Sequence, residues 1–463
     1  MNGAATASAE PPARRIRRVA VADALFPVAA PYAARPRALA AAYAASFVAG
    51  VAYLVLIPAG RSHLFRMWAE DGKEWLSDAA RDIPFSHLFD PLGGYFHVVP
   101  RVLAQIVVTV LPVDLWALGM AVGSAAVRVG CALLVFHAAR GHVPSPGARF
   151  AIAASVVLLP TGNSDTINNA ANLHWFLFFT LCWTMLWHPR TRVGVAGMLM
   201  FTAVAALSVP LGIALVPLAV GRIVLLPRWR DKAAGILVVA TSAAVLAVAI
   251  GADRPRSEID AGALALSAAA RSMLVMLIGP QAAGDLIVAS AGALWPIAAA
   301  TAASTLLVVG LAAAGFAAGR PSERMLIAVL VLLGASCGVA SLAMNWRDFL
   351  SVHDELRTPR YSTLPALLLF AAVVVSIVVI ARCRRAPAVT AAALIGVLVT
   401  GGAVWQLSYD PQSPGAPGVT GVTWEDSLDA ARTDCLMTGH ENVKVVIPPH
   451  DGWTSVLPCD LLD

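Results

Sequence analysis

Charged side chains are scarce in this chain: 13% of its 463 residues are Asp, Glu, Lys or Arg, against about a quarter in ordinary soluble domains. With 58% hydrophobic residues and a strongly positive mean hydropathy, this shortage excludes a conventional water-soluble fold and points to a polytopic membrane protein. Familiar motifs are missing as well. There is no Cys/His spacing for zinc, no Walker sequence, no serine elbow and no dinucleotide fingerprint. An internal repeat, paired Gly/Pro-broken half-helices and ion-site acids within the apolar blocks are also lacking, which weighs against a secondary transporter. The net charge of +5 is no nucleic-acid footprint, because the basic residues form short clusters between apolar blocks.

What is present is a succession of those blocks. Spans are expected near 39–58, 114–138, 149–160, 173–187, 193–207, 209–226, 233–251, 295–317, 325–343, 361–381 and 387–405, about eleven in all. The first exceeds a secretion-signal core and is followed by many more, so it reads as a retained anchor. Basic clusters fall on alternate connectors: Arg14 to Arg18, Arg35 and Arg37, Arg140 and Arg149, Arg190 and Arg192, Arg222 to Lys232, Arg320 and Arg324, and Arg382 to Arg385. The positive-inside rule then sets the N-terminus inside and the C-terminus outside. The expected fold is an all-α polytopic membrane protein in three parts. A basic cytoplasmic segment, 1–38, precedes a transmembrane domain, 39–407, whose long outside loop, 59–113, carries interfacial helices. A small outside α/β tail, 408–463, follows.

Four cysteines, Cys131, Cys182, Cys337 and Cys383, lie in or beside apolar blocks, whereas Cys435 and Cys459 lie in the tail. Only that last pair meets an oxidising compartment on this topology. Thr423 stands where a helix cap would precede Trp424, Leu428, Ala431 and Cys435 at helical spacing, and "VKVVIPP" reads as a strand. A tail this short has little core, so a Cys435–Cys459 bridge, adding roughly 3.5 kcal/mol of loop-closure entropy, would help it fold. Two free thiols are the other state open to the pair.

The acids concentrate in "MWAEDGKEWLSDAARD", Met67 to Asp82. Trp75, Leu76, Ala79, Ala80 and Ile83 make an apolar stripe, and Glu74, Asp78 and Asp82 an acidic one, as in a helix lying in the membrane interface. Asp71, three residues before Glu74, has the spacing of a capping box and equally the place of a general base. Beyond it, "DPLGGYFHVVPR" turns at Gly93-Gly94 and brings Tyr95, His97 and Arg101 to a helix start. A second outside loop, "TGNSDTINNAANLHWF", sets side-chain amides including Asn172 beside His174 and Trp175, a combination that suits a sugar or an ordinary interfacial loop. A third sets Arg347, Arg357, Arg360 and Tyr361 at the mouth of a span, placed for a phosphate or for salt bridges to nearby acids. Arg128, within a span, is expected to face the bundle interior.

The order of these features, "AEDG" after the first span, then "GGYFHVVPR", many spans, a late "PRYSTLP" and a small Cys-containing tail, resembles the GT-C superfamily of membrane glycosyltransferases. The likeness is to bacterial members that use polyprenyl-phosphate sugars. It implies a GT-C-like fold in a bacterial cytoplasmic membrane, with a lipid-linked sugar donor and an envelope glycan or lipid acceptor at the outer face. Asp71 matches the catalytic acid, supported by Glu70; Arg360 and Tyr361 match the donor-phosphate region, with Arg101 and Arg357 near it. Lys73, Tyr95, His97, Asn172, His174 and Trp175 are left for the sugar or acceptor. The expected partners are these substrates and membrane lipids, with no nucleic acid. No cofactor follows from the residues, and a divalent metal is compatible with the chemistry but is not called for. The same charges also suit a lipid-linked glycan flippase or a non-catalytic envelope-assembly protein.

Overall fold

The computed structural model describes residues 12–30, 36–159, 166–250, 258–290, 293–346, 360–383, 421–449 and 452–462, with 396 and 401 besides. These residues form a multi-pass helical membrane protein with one small sheet. Seven helical stretches are long and apolar enough to cross a bilayer: Pro36–Leu56, Val113–Gly141, Trp229–Ile250, Ala261–Ile278, Leu294–Ala318, Pro321–Met344 and Arg360–Cys383.

In chain order the helices are α1 (Pro12–Leu25), α2 (Pro36–Leu56), α3 (Pro58–His63) and α4 (Ser77–Arg81), the last continuing a π-helical turn, Asp71–Leu76. Then come α5 (Val98–Val110), α6 (Trp116–Ala138), α7 (Pro146–Leu158), α8 (Leu173–Leu186), α9 (Arg192–Ala206), α10 (Val216–Leu225) and α11 (Trp229–Ile250). The second half holds α12 (Ala261–Ala269), a π turn (Ala270–Leu274), α13 (Val275–Ile278), α14 (Pro280–Ala289), α15 (Leu294–Ala318), α16 (Pro321–Met344) and α17 (Arg360–Cys383). Helix α17 is the centre of the bundle. Every residue from Ser362 to Ile377 is buried, enclosed by α15, α16, α7 and α8, which accounts for its apolar composition on all sides.

Helices α7 and α8 are too short to span a bilayer and end within the protein, where their last carbonyls have no water to bond. Buried arginines from neighbouring helices meet them. Arg128 of α6 donates to the carbonyls of Val156 (2.6 Å) and Val157 (3.3 Å) at the end of α7 and stacks on Phe176. Arg222 of α10 donates to those of Met185 (2.7 Å) and Trp187 (2.8 Å) at the end of α8. Cation and helix C-terminus are matched in sign as well as in hydrogen bonding.

The tail is as its sequence suggests: α18 (Trp424–Thr438), capped by Thr423 Oγ1 accepting from the Asp426 N–H at 3.1 Å, then an antiparallel hairpin of β1 (Asn442–Val446) and β2 (Thr454–Pro458). A Cys435–Cys459 disulfide joins the helix to the end of the hairpin. The Trp424 N–H donates to Phe65 O (2.7 Å), its indole to Val113 O (2.8 Å), and Arg432 pairs with Asp114 (2.7 Å). Tail and first loop thus lie at one end of the bundle.

Three expectations require correction. Six of the expected spans are helices of bilayer length, four more (149–160, 173–187, 193–207 and 209–226) are shorter apolar helices, and the eleventh, 387–405, lies almost wholly outside the described residues. Ala261–Ile278 is a further apolar helix that the sequence reading passed over, because Ser267, Arg271 and Ser272 interrupt its hydrophobic run; all three are buried. The front of the apolar stripe is buried against protein, with Trp75 1% and Leu76 0% exposed between α5 and the tail sheet, while Ala79 and Ala80 are half-buried and Ile83 at its end is exposed. Asp71 caps no helix. No side-chain cap bond is made at the start of its turn, and its carboxylate is engaged elsewhere.

Candidate functional site

Six stretches of chain, distant in sequence, meet at the tail end of the bundle around a cavity of about 440 Å³. The first loop supplies Glu70 and Trp75, the Gly93-Gly94 turn supplies Tyr95 and His97, and the start of α8 supplies Asn172, His174 and Trp175. Pro210 and Leu211 come from the break after α9, Ser341, Met344 and Asn345 from the end of α16, and Arg360 and Tyr361 from the start of α17. Gly93, with φ +59°, occupies a left-handed conformation that a side chain would resist.

The wall is a chain of rings. Trp75 lies 4.6 Å from His97, His97 3.9 Å from Tyr95, Tyr95 5.9 Å from His174, His174 4.2 Å from Trp175, and Trp175 6.0 Å from Tyr361. Such faces bind the C–H surface of a sugar and leave its hydroxyls to polar groups. The polar groups are held in place. Asn172 Oδ1 accepts from the Trp175 indole (3.2 Å), His174 Nδ1 donates to Ala171 O (2.8 Å), and His97 Nε2 donates to Leu92 O (3.1 Å). Burial, with His174 and Arg101 nearby, pushes His97 down to about 3 despite the bond to Leu92. Its imidazole is therefore neutral at physiological pH, with Nδ1 an acceptor. At the far end the Arg360 guanidinium lies over the Tyr361 ring at 5.5 Å.

The acidic pair divides. Glu70 lines the cavity, while Asp71 is 2% exposed and turns away, accepting the backbone N–H of Ala170 (2.8 Å) and of Ala171 (2.9 Å). Burial pushes Asp71 up to about 7; the two N–H donors pull it down and Glu70 adds a further upward push. Asp71 thus fastens the first loop to the strand of chain that leads into Asn172, His174 and Trp175. The turn carrying it is π-helical, a feature that recurs at functional sites, and follows Ala69 at φ +38°.

Eight of the expected site residues share this cavity: Glu70, Tyr95, His97, Asn172, His174, Trp175, Arg360 and Tyr361. Four do not. Asp71 stands behind it. Arg101 lines a smaller cleft instead, pairing with Asp78 at 2.7 Å and stacking on the outer face of Trp75 at 4.9 Å, because the intervening indole separates it from the cavity. Lys73 points outward, 3.4 Å from Glu74 and over the Trp453 ring. Arg357, like Arg347, lies outside the described residues. Trp75, Pro210, Leu211, Ser341, Met344 and Asn345 were missed as site residues. A proline at the very start of an apolar block and an asparagine closing another were the signals available for Pro210 and Asn345. Among the described residues no group of three or more His, Cys, Asp or Glu is arranged to hold a metal ion.

No family profile, curated protein or solved structure matches the chain.

Proposed function

We propose that the protein is an inverting glycosyltransferase of the GT-C type, moving a sugar from a polyprenyl-phosphate donor to an envelope glycan or lipid acceptor. The observation that carries this reading is the shared cavity, in which a carboxylate, Glu70, and a guanidinium, Arg360, are joined by a continuous aromatic wall. In the reaction an acceptor hydroxyl attacks the anomeric carbon, Glu70 takes the hydroxyl proton, and the bond from that carbon to the phosphate oxygen breaks. The electron pair leaves with polyprenyl phosphate, whose charge Arg360 meets. Phosphate needs no proton to depart, so one carboxylate suffices, and a single displacement inverts the sugar carbon. The roles expected of the acidic pair are exchanged: Glu70 is the base and Asp71 positions it, because both Asp71 oxygens are committed to backbone N–H groups.

The reading places the cavity at the outer face of a bacterial cytoplasmic membrane, with the N-terminus inside and the tail outside. Two features support this. The disulfide-bonded tail packs against the first loop, and a disulfide belongs in an oxidising compartment. Basic residues gather at the other end, where Arg382 pairs with Glu323 and Arg140 reaches Ala30 O.

The test is to supply the protein, purified into lipid nanodiscs, with a panel of radiolabelled pentosyl and hexosyl polyprenyl phosphates and membrane-derived acceptors. Release of polyprenyl phosphate together with a labelled acceptor, lost in Glu70→Gln, is the expected result. No transfer from any donor overturns the reading, and movement of intact donor across vesicles without cleavage replaces it with transport.

A further inference from the structure

We propose that the C-terminal segment, Gly421 to Leu462, is a clamp that sets the position of Glu70 and, through Asp71, of the opposite cavity wall. Its catalytic consequence rests on the transferase reading; its structural consequence does not.

The clamp closes on both sides of the acidic pair. On one side the Ala69 N–H donates to Pro448 O at 2.9 Å. Ala69 is 4% exposed and holds φ +38°, a conformation that the Cβ of L-alanine disfavours and that survives only where its surroundings impose it. Glu70 is the next residue, so relaxation of Ala69 to negative φ swings the carboxylate away from its present place. On the other side Gly72 lies so close to the tail that a Cβ there would come within 2.8 Å of Ile447 Cδ1 and 2.5 Å of Met67 Cγ. One turn on, Ser77 Oγ accepts the Val456 N–H at 2.9 Å, lies 3.0 Å from Ser455 Oγ, and donates back to Gly72 O at 2.9 Å. The hairpin is therefore hydrogen-bonded to the π turn through Ser77, and both hydroxyls are buried.

The connection continues beyond the first loop. Asp71, held between Ala69 and Gly72, accepts the N–H groups of Ala170 and Ala171, and the next residues along, Asn172, His174 and Trp175, line the cavity. Tail, acidic pair and second loop form one hydrogen-bonded series. Among the described residues none from the tail lines the cavity, so the segment acts as a positioning element.

Hydrogen exchange read by mass spectrometry on the full chain in nanodiscs tests this, comparing the unaltered protein with Ser455→Ala and, separately, Ile447→Ala. Both changes lie on the tail and spare the cavity. The clamp requires exchange at Ala170 and Ala171, far from the substitution in sequence, to rise by roughly 5- to 30-fold, together with exchange at Ala69. Faster exchange confined to the hairpin, with Ala170 and Ala171 unchanged in both variants, overturns it. The catalytic arm is a separate measurement: kcat falls in both variants while the KM for donor stays constant, because Arg360 and Tyr361 are held by α17 and not by the tail. Unaltered protein that transfers no sugar sinks the transferase reading, and the exchange arm still decides the clamp.

Discussion

Replacing Asp71 with asparagine separates its electrostatic burden from its hydrogen bonds. In the folded protein, burial raises this carboxyl from 3.8 to about 7. The native state therefore holds the proton more tightly than the unfolded chain does, so the group's contribution to stability is complete below pH 3.8 and is lost as the pH rises to about 7. That displacement corresponds to about 4 kcal/mol. Asparagine does not titrate, and this part of the pH dependence disappears with it. Asparagine also offers one acceptor oxygen where the carboxyl offers two, and presents its NH2 to a backbone N–H. One of the donors at Ala170 and Ala171 is left unpaired in a buried site, at a cost of about 1–3 kcal/mol. The variant is accordingly the less stable protein in acid, and because the loss from the wild type exceeds the cost of the unpaired donor, the order reverses toward neutrality. Thermal unfolding in detergent, followed by tryptophan fluorescence from about pH 4.5 to 8, measures the difference, in which the remaining titrating groups cancel. A constant offset across that range refutes the raised pKa, and equal melting temperatures in acid refute the pair of hydrogen bonds.

The remaining predictions concern the division of labour around the cavity. Glu70→Gln lowers sugar transfer by roughly two to four orders of magnitude with donor binding intact, and by more than Asp71→Asn does; the reverse ranking returns the role of base to Asp71. Arg360→Ala weakens polyprenyl-phosphate-sugar binding by about 1.5–3 kcal/mol, and titration of the variant with donor reads it directly; unchanged affinity removes Arg360 from the phosphate. Arg101→Ala breaks the pair with Asp78 and costs about 1–3 kcal/mol of stability, seen as earlier melting, while donor affinity stays the same. A large loss of donor affinity there would mean that Arg101 reaches the cavity past Trp75.

Much of the architecture was legible because it is written in runs. An apolar block of bilayer length has few alternatives to a helix, and the tail declared its helix, cap, strand and cysteine pair within short windows. Ala261–Ile278 was hidden because its buried Ser267, Arg271 and Ser272 look like a polar break until a neighbouring helix is there to receive them. The residue types of the site were legible too: eight of the singled-out side chains line one cavity. Which of them face it was not. Glu70 and Asp71 are adjacent, and only the backbone conformation at Ala69 and the N–H groups of Ala170 and Ala171, about a hundred residues away, decide which carboxylate enters the cavity and which is buried behind it. Arg101 and Arg360 are alike as sequence, yet one is screened from the cavity by the Trp75 indole and the other opens onto it. Composition and periodicity record what each segment prefers locally. The direction in which a side chain points at the end of a helix depends on partners that only the folded chain brings within hydrogen-bond reach, and here the tail and the second loop supply them.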